Sequence, residues 1–388
     1  MQPLDIITIS ILLFLLILLT TAGYVELYIH NKSLLKIPTR IHVNGTRGKS
    51  SVTRLIAAGI REGGLKTYAK TTGTTPRIID NNGNDIELHR LRSASIGEQI
   101  KLIRYFSKYK PDVLILECMA VNPQYQWVSE HKIVKSTIGV ITNVSADHLD
   151  EMGTTLSDIA FSLSNTIPFN SKIITSEAKS IGPLKEVAKK RKTEIVVSDD
   201  VIEQHYMDKL PFIEHPENVS LALKVCQAVG VPKEIALKGM LKTKPDPGAL
   251  FIWNIQYKRN KNKFISAFAA NDPNSTMKVW NLLTKKYDNK KCVFLNTRND
   301  RRYRTIQLIE LVLKHIKPDH FIVRGDDVTS LMKTYETKKM KIKVFNMQSS
   351  QNEVIEYMNN LNNYIVVGVG NIVGWGDKFI KKIKKFKI

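Results

Sequence analysis

The run Gly45-Thr46-Arg47-Gly48-Lys49-Ser50-Ser51 restricts what this chain can fold into more than any other feature. It follows the short apolar stretch Arg40-Ile41-His42-Val43 and leads into Val52-Thr53-Arg54-Leu55-Ile56-Ala57. That order predicts a strand, a glycine-rich loop and a helix. Glycines let the backbone wrap closely around a phosphate chain, and the N–H groups that open the helix then face the anion. Lys49 is spaced to reach the outer phosphates, and the Ser50 hydroxyl to ligate Mg²⁺. A nucleoside triphosphate site is therefore the first expectation. The loop is shorter than G-x-x-x-x-G-K-[ST], which would need glycine where Val43 stands.

A length of 388 residues leads one to expect two domains, and the N-terminus stands apart from both. Ile6 to Val25 is apolar or small and uncharged, and about 20 such residues span a bilayer as a helix. No Lys or Arg precedes it, so the basic start of a signal peptide is missing. Lys32, Lys36 and Arg40 follow it. The positive-inside rule then predicts a single-pass anchor in the cell membrane, with the first residues outside and the rest cytoplasmic. The three cysteines, Cys118, Cys226 and Cys292, are far apart and lack metal-ligand spacing, which fits a reducing compartment. A net charge of +22 favours anionic neighbours: phospholipid, nucleotide, a polyanionic product or nucleic acid. The lysines are scattered along the chain and form no stripe with interleaved aromatics, so nucleic-acid binding ranks last. The tail from Lys378 to Ile388 alternates lysine with apolar residues. It reads as a solvated last helix ahead of one lying on an anionic membrane.

From Arg40 onward, strand-like and helical stretches alternate. Apolar strand-like runs occupy 66–70, 112–118, 136–144, 172–176 and 194–198. Alternation of this kind implies an α/β fold, a mostly parallel sheet with helices on its faces. Lys242-Thr243-Lys244-Pro245-Asp246-Pro247-Gly248 interrupts it and reads as a linker. A second series has strand candidates at 251–257, 264–269, 292–297, 321–325, 342–345 and 364–369, with helical stretches such as 275–286 and 305–316 between. The expected organisation is an anchor at 1–30, a P-loop nucleotide-binding parallel-sheet domain at 31–245, and a smaller Rossmann-like α/β domain at 246–388.

Two strand ends carry ionisable residues. Asp112-Val113-Leu114-Ile115-Leu116-Glu117 is an apolar strand closing on a carboxylate. Ligands of open α/β sheets bind at the carboxyl ends of strands, so Glu117 is placed to hold Mg²⁺ opposite the phosphate loop. The strand from Thr137 to Val144 opens into Ser145-Ala146-Asp147-His148-Leu149-Asp150. His148 can ligate a second metal ion through a neutral ring nitrogen, with Asp147 orienting it. A structural loop histidine is the competing reading.

With these residues in view, the chain resembles the Mur ligase superfamily, which includes the folylpolyglutamate synthases. More narrowly, it resembles the ligase subunits of poly-γ-glutamate synthases. Asn44-Gly45-Thr46-Arg47-Gly48-Lys49-Ser50, Lys70-Thr71-Thr72-Gly73-Thr74 and Glu117-Cys118-Met119-Ala120-Val121-Asn122-Pro123 carry the likeness. So do Asp147-His148-Leu149-Asp150, Pro245-Asp246-Pro247-Gly248, Phe268-Ala269-Ala270-Asn271-Asp272, Arg298-Asn299-Asp300-Arg301 and Gly368-Val369-Gly370-Asn371-Ile372.

The resemblance implies an ATP- and Mg²⁺-dependent amide ligase that extends poly-γ-glutamate through an acyl phosphate. Glutamate and the growing chain would be its substrates, and small membrane subunits of a synthase or export complex its partners. Lys49 would stabilise the transferring phosphoryl group. Ser50 and Glu117 would ligate one Mg²⁺ and His148 a second. Asn44, Gly45, Thr46, Arg47, Gly48, Ser51 and Asn143 would surround the nucleotide, and Asn218 would lie near adenine. Thr72 and Thr74 would sit beside the metal and the acyl substrate. Arg298 and Asp300, with Asn271, Asp272 and Arg301, would face the incoming amino acid.

The chain also departs from the wider superfamily. Leu163 falls where many members carry a carbamylated lysine, and no Lys occurs between His148 and Lys172. The paired Asn motif is reduced to Asn218, preceded by His215-Pro216-Glu217. A separate nucleotide-sugar domain is absent, which argues against a sugar-nucleotide substrate. Two competitors stay open: another Mur-type amino-acid ligase with a soluble acceptor, and a membrane-anchored P-loop ATPase driving export.

Overall fold

The computed structural model describes residues 3–388 except 73–75, 90–94, 247–249, 269–271, 285–286, 299–301, 326–327 and 329–339. The chain forms two compact units. The first takes residues up to Thr72, Pro76–Leu210 and His215–Lys244, and the second takes Pro211–Glu214 and Pro245–Ile388.

The chain opens with α1 (Pro3–Leu35), in which Ile7–Leu35 is long and apolar enough to cross a membrane. Large apolar side chains from Ile7 to Ile29 are exposed, so this is not a core helix. A helix of 33 residues is about 50 Å long, against about 30 Å of hydrocarbon, so turns are left over for docking. Leu34 in its last turn and Ile37 just past it are buried in one cluster with Leu102, Ile103 and Phe106. Glu26 pairs with Arg104 at 2.5 Å.

The rest of the first unit alternates as its apolar runs predict. Its first half is β1 (Thr39–Asn44), α2 (Lys49–Glu62), β2 (Thr67–Thr71), β3 (Arg77–Ile79), β4 (Asp85–Glu87), α3 (Gly97–Ser107) and β5 (Val113–Glu117). Next come α4 (Pro123–Val128), β6 (Ile138–Ile141), α5 (Leu149–Met152), α6 (Leu156–Ser164), β7 (Lys172–Thr175) and α7 (Ile181–Lys190). It closes with β8 (Glu194–Val197), α8 (Gln204–Met207), α9 (Pro216–Ala228) and α10 (Lys233–Met240). The sheet order is β4-β3-β2-β5-β1-β6-β7-β8, parallel from β2 to β8. Central strands are buried on both faces, which is why β5 reads Val-Leu-Ile-Leu without alternation. Register places Val43 beside Glu117, Asn44 beside Ile141 and Lys70 beside Leu116. The carboxyl ends of β2, β5, β1 and β6 therefore lie level and form one crevice.

The antiparallel hairpin β3–β4 was not legible as strand, because three-residue strands leave no alternating run. Its turn is held by the Asp80 carboxylate, which accepts from the amides of Asn82 and Asn84.

The second unit comprises β9 (Phe251–Tyr257), β10 (Asn260–Ser266), α11 (Pro273–Thr284), β11 (Lys290–Asn296), α12 (Arg302–Glu310) and β12 (His320–Arg324). It ends with β13 (Lys341–Phe345), α13 (Gln351–Asn359), β14 (Tyr364–Gly370) and α14 (Trp375–Ile383). The sheet order is β13-β12-β11-β14-β10-β9, parallel except for the edge strand β9. Strand β10 begins before the apolar run at 264, because buried Asn262 donates to Leu361 O and accepts from Tyr364 N. In α14, Phe379 and Ile383 are wholly buried against Phe264 and Phe294. The apolar face of the tail is thus spent on the core, and Lys378, Lys381 and Lys384 stand in solvent.

Candidate active site

The phosphate loop is shaped by contacts that only glycine allows. Gly45 has φ +131°, and a Cβ there would collide with the Thr142 hydroxyl. Gly48 has φ +80°, and a Cβ there would lie 2.8 Å from the Asn218 amide. Asn218, near the start of α9, is buried beside the loop. Asn143 braces the loop from the end of β6. Its Oδ1 accepts from Thr46 Oγ1 at 2.7 Å and from Arg47 N at 3.2 Å, and its Nδ2 donates to Arg47 O at 3.0 Å. Thr142 Oγ1 donates to the same carbonyl at 2.6 Å. Asn44 is turned inward and donates to Gln126 Oε1 at 2.9 Å and Thr166 Oγ1 at 3.1 Å. The sequence suggested Asn44, Thr46 and Asn143 as nucleotide contacts. In the structure the side chains of Thr46 and Asn143 bond to each other across the loop, and that of Asn44 is held by Gln126 and Thr166.

Helix α2 starts at Lys49 with Gly48 as its N-cap, no capping side chain and no acidic residue in its first turn. The opening amides of a helix have no intrahelical partner, and with the dipole they favour an anion. Ser51 lies half-buried in that turn. Lys49 Nζ donates to Gly45 O at 2.6 Å, folded over its own loop. Glu117, 2% exposed at the end of β5, accepts through Oε2 from Ser50 Oγ at 2.8 Å and from Thr72 N at 2.7 Å. A hydroxyl and a carboxylate brought together beside a phosphate site fit Mg²⁺. That ion takes one or two carboxylates and completes its shell with phosphate oxygens and water.

His148 is placed differently. Its backbone is left-handed, with φ +46°, and its side chain is half-exposed. Asp147 Oδ1 is 3.9 Å from His148 Nε2, beyond a hydrogen bond, and 3.5 Å from Arg47 Nη2. Asp147 therefore sits closer to Arg47 than to His148 and does not orient the imidazole. Among the described residues no group of three His, Cys, Asp or Glu side chains is arranged to hold a metal.

Three buried polar groups near the crevice escaped the sequence reading. Lys70, fully buried at the end of β2, pairs with Glu98 at 2.9 Å. A lysine within the run Thr67-Tyr68-Ala69-Lys70-Thr71 was the available signal. Glu177, beyond β7, accepts from Val144 N at 2.8 Å and so fixes the loop leading to His148. On β1, His42 Nδ1 meets Glu130 Oε2 at 2.7 Å. Burial opposes the His42 imidazolium, but Cys118 and the Glu130 carboxylate outweigh it and raise its pKa to about 10.

In the second unit, Arg298 follows β11. With Asn296, Thr297, Arg304 and Asn371 it lines a crevice of about 30 Å³ at the carboxyl ends of β11 and β14. Asn296 Nδ2 donates to Asn371 O at 2.6 Å and locks those ends together. Asp272 Oδ1 accepts from Ser275 N at 3.0 Å, which makes it the cap of α11. Thr74, Asn271, Asp300 and Arg301 lie outside the described residues.

Comparison with known proteins places this geometry in a family. The Mur ligase middle domain matches residues 43–239, and the poly-gamma-glutamate synthase CapB C-terminal domain matches residues 252–386. The capsule biosynthesis protein CapB of Bacillus anthracis is 37% identical over 375 residues, covering 94% of this chain and 81% of that protein. The chain belongs to the CapB family. The PGA synthase CapB of Bacillus subtilis (strain 168) is 35% identical over 374 residues, covering 94% of this chain and 95% of that protein. The fold is also that of the bifunctional folylpolyglutamate synthase/dihydrofolate synthase of Yersinia pestis, solved with AMPPNP and Mn ion. That likeness has a TM-score of 0.69 at 16% identity, covering 92% of this chain and 91% of that one. CapB membership thus spans both units, the P-loop sheet and the β9–β14 sheet.

Proposed function

We propose that this CapB-family chain is an ATP-dependent amide ligase that extends poly-γ-glutamate. The observation that carries the reading is the meeting of Ser50 Oγ, Thr72 N and Glu117 at the uncapped start of α2. Amide formation from a carboxylate and an amine is uphill in water, so the carboxylate must first be activated. An oxygen of the chain-end carboxylate attacks the γ-phosphorus of ATP, the P–O bond to ADP breaks, and an acyl phosphate forms. The amine of the next glutamate then attacks the acyl carbon. Phosphate leaves with the transferred oxygen, and the amine proton passes to solvent.

Lys49 exchanges its bond to Gly45 O for the outer phosphates and offsets charge on the transferring group. The amides opening α2 hold the phosphates, and Asn143 with Thr142 keeps the loop in register for them. Ser50 and Glu117 would hold a divalent ion, whose chemistry there would be charge neutralisation at the phosphoryl oxygens. A second ion at His148 draws support from family resemblance alone. Arg298 is proposed to orient a substrate carboxylate by paired N–H bonds. Thr74, Asn271, Asp300 and Arg301 are assigned to the substrate side on the resemblance alone. The proposed domains are the anchor at 1–30, the ATP-binding domain at 31–245 and the C-terminal ligase domain at 246–388. The catalytic body lies on the cytoplasmic face with small membrane subunits of a synthase complex, and the net charge of +22 suits a polyanionic product.

The test is phosphate release from ATP by membranes that hold the chain with its partner subunits, with and without glutamate. Release that requires glutamate, yields γ-linked polymer and is lost in Lys49→Ala supports the ligase. Lys49-dependent release indifferent to every amino acid overturns it and favours an export ATPase.

A further inference from the structure

The two edges of the first sheet carry opposite charge. Strands β2, β5, β1, β6, β7 and β8 are parallel, so the stretches leading into them share one edge, the amino edge, opposite the crevice. Lys36, Lys108, Lys110, Lys132, Lys135 and Lys192 are exposed there. Lys110, Lys135 and Lys192 turn the chain towards β5, β6 and β8 with φ of +46°, +48° and +53°, where glycine is the unstrained choice. The stretches 36–38, 63–66, 108–112, 132–137, 165–171 and 191–193 hold one acid, Asp112. At the carboxyl edge the pattern reverses. Residues 142–155 and 198–203, which leave β6 and β8, carry Asp147, Asp150, Glu151, Asp199, Asp200 and Glu203 and no Lys or Arg. The net charge of +22 is therefore not spread evenly over this unit.

Helix α1 joins the body at the lysine-bearing edge, passing through Lys36–Pro38 into β1. Glu26 is the first charged residue after the apolar run from Ile6, which sets it at the hydrocarbon boundary. Arg104 of α3 meets Glu26 at 2.5 Å. Helix α3 leads back to the start of β5, so Tyr105, Lys108, Tyr109 and Lys110 follow Arg104 near that depth. Across α1, Lys135 Nζ donates to Asn31 Oδ1 at 2.9 Å, about 8 Å along the helix beyond Glu26. The headgroup region is roughly 5–8 Å thick in each leaflet, so both groups of lysines reach it. Tyr105 and Tyr109 are 45% and 41% exposed, and Phe169 on the same edge is 54% exposed. Tyr109 Oη donates to Tyr105 Oη at 3.2 Å, which pairs the two rings on the surface. Exposed tyrosine flanked by lysine at a hydrocarbon boundary is the composition of an interfacial belt.

We propose that the amino edge of the first sheet rests on the anionic phospholipid headgroups around α1. Tyr105 and Tyr109 lie at the boundary, and the lysines lie on the lipid phosphates. The proposal rests on the reading of α1 as a membrane anchor and adds which face of the first unit lies against the bilayer. An anionic surface attracts lysines within a Debye length, about 8 Å, and repels the acidic carboxyl edge, so the two edges act together to orient the sheet. The crevice with Glu117 then faces away from the bilayer, separated from it by the length of β5, about 17 Å. A soluble polyanion also answers the lysines, but it offers the exposed tyrosines no apolar surroundings, and it has no reason to meet the chain where α1 leaves it.

The test places the full-length chain in nanodiscs of phosphatidylcholine, or of an equimolar mixture with phosphatidylglycerol, and reads hydrogen–deuterium exchange over 105–112, 132–137 and 142–155. Phosphatidylglycerol should slow exchange in the first two segments by about fivefold or more and leave 142–155 unchanged. Raising salt from about 0.1 M to 1 M shortens the Debye length from about 10 Å to 3 Å and should abolish the slowing. Lys108→Glu combined with Lys110→Glu should return 105–112 to within about twofold of its rate in phosphatidylcholine. Lys132→Glu combined with Lys135→Glu should do the same for 132–137, and keeps the test decisive where the first pair misfolds. Equal exchange in the two lipids, slowing at 142–155 instead, or slowing unchanged in both double variants would each overturn the proposal. So would protection of these segments by soluble poly-γ-glutamate with none from phosphatidylglycerol. A chain that enters neither disc refutes the anchor reading and the proposal with it, whereas one that enters both and exchanges alike refutes the proposal alone.

Discussion

Asn143→Ala separates a loop brace from a group that touches nucleotide. The substitution removes three hydrogen bonds of 3.2 Å or less, those from Thr46 Oγ1, from Arg47 N and to Arg47 O, besides a long one of 3.5 Å from Ser145 Oγ. At about 0.5–1.5 kcal/mol net for each, the gross loss is about 1.5–4.5 kcal/mol. Three bonds survive, Thr142 Oγ1 to Arg47 O at 2.6 Å and, to the residue-143 carbonyl, Thr46 N at 3.1 Å and Thr46 Oγ1 at 3.2 Å. They hold the loss toward the lower part of that range, about 2 kcal/mol. The cost falls on the loop that receives the phosphates and leaves the buried strands intact. It should therefore emerge as nucleotide affinity, and about 2 kcal/mol is roughly 30-fold in Kd. The assay is titration of a fluorescent ATP analogue against the full-length chain in detergent, beside kcat at saturating ATP. ATP should bind about 30-fold more weakly, with kcat at saturation within about threefold of wild type. A large fall in kcat at unchanged affinity would refute the brace and put Asn143 against the reacting groups.

Further outcomes follow from other contacts of the first unit. His42 is raised in the folded state to about 10 from an unfolded value near 6.5, so the stabilisation from its pair with Glu130 is complete below about pH 6.5 and lost as pH rises through about 10. Thermal midpoints should decline across that window in the wild type and flatten in His42→Phe, as read by scanning calorimetry. Truncation before His30 should leave a folded body. Truncation through Ile37 strips two buried side chains from the cluster under α3 and should cost about 3–6 kcal/mol in urea unfolding.

The phosphate loop was legible because glycine at 45 and 48 and the Lys-Ser pair are local demands of one turn. Glu117 was legible because a carboxylate closing a doubly buried strand must lie at a crevice. The inward turn of Asn44 was not, since Gln126 and Thr166 lie far along the chain and meet it only through the sheet register. Lys70 was hidden for the same reason, because its partner Glu98 arrives on α3. Asp272 was named on resemblance alone, and its capping bond from Ser275 N was not read from the sequence. His148 followed a strand end too, but its left-handed backbone and solvent exposure could not be read from neighbours in sequence.

The most direct measurement follows oxygen. Glutamate labelled with ¹⁸O in its γ-carboxylate is supplied, with ATP, to membranes holding the chain and its partner subunits, and the released phosphate is weighed by mass spectrometry. Activation of the carboxylate as an acyl phosphate predicts one ¹⁸O in the phosphate for each amide bond formed, and none with Lys49→Ala. Unlabelled phosphate released in step with polymer growth would contradict carboxylate activation at this site.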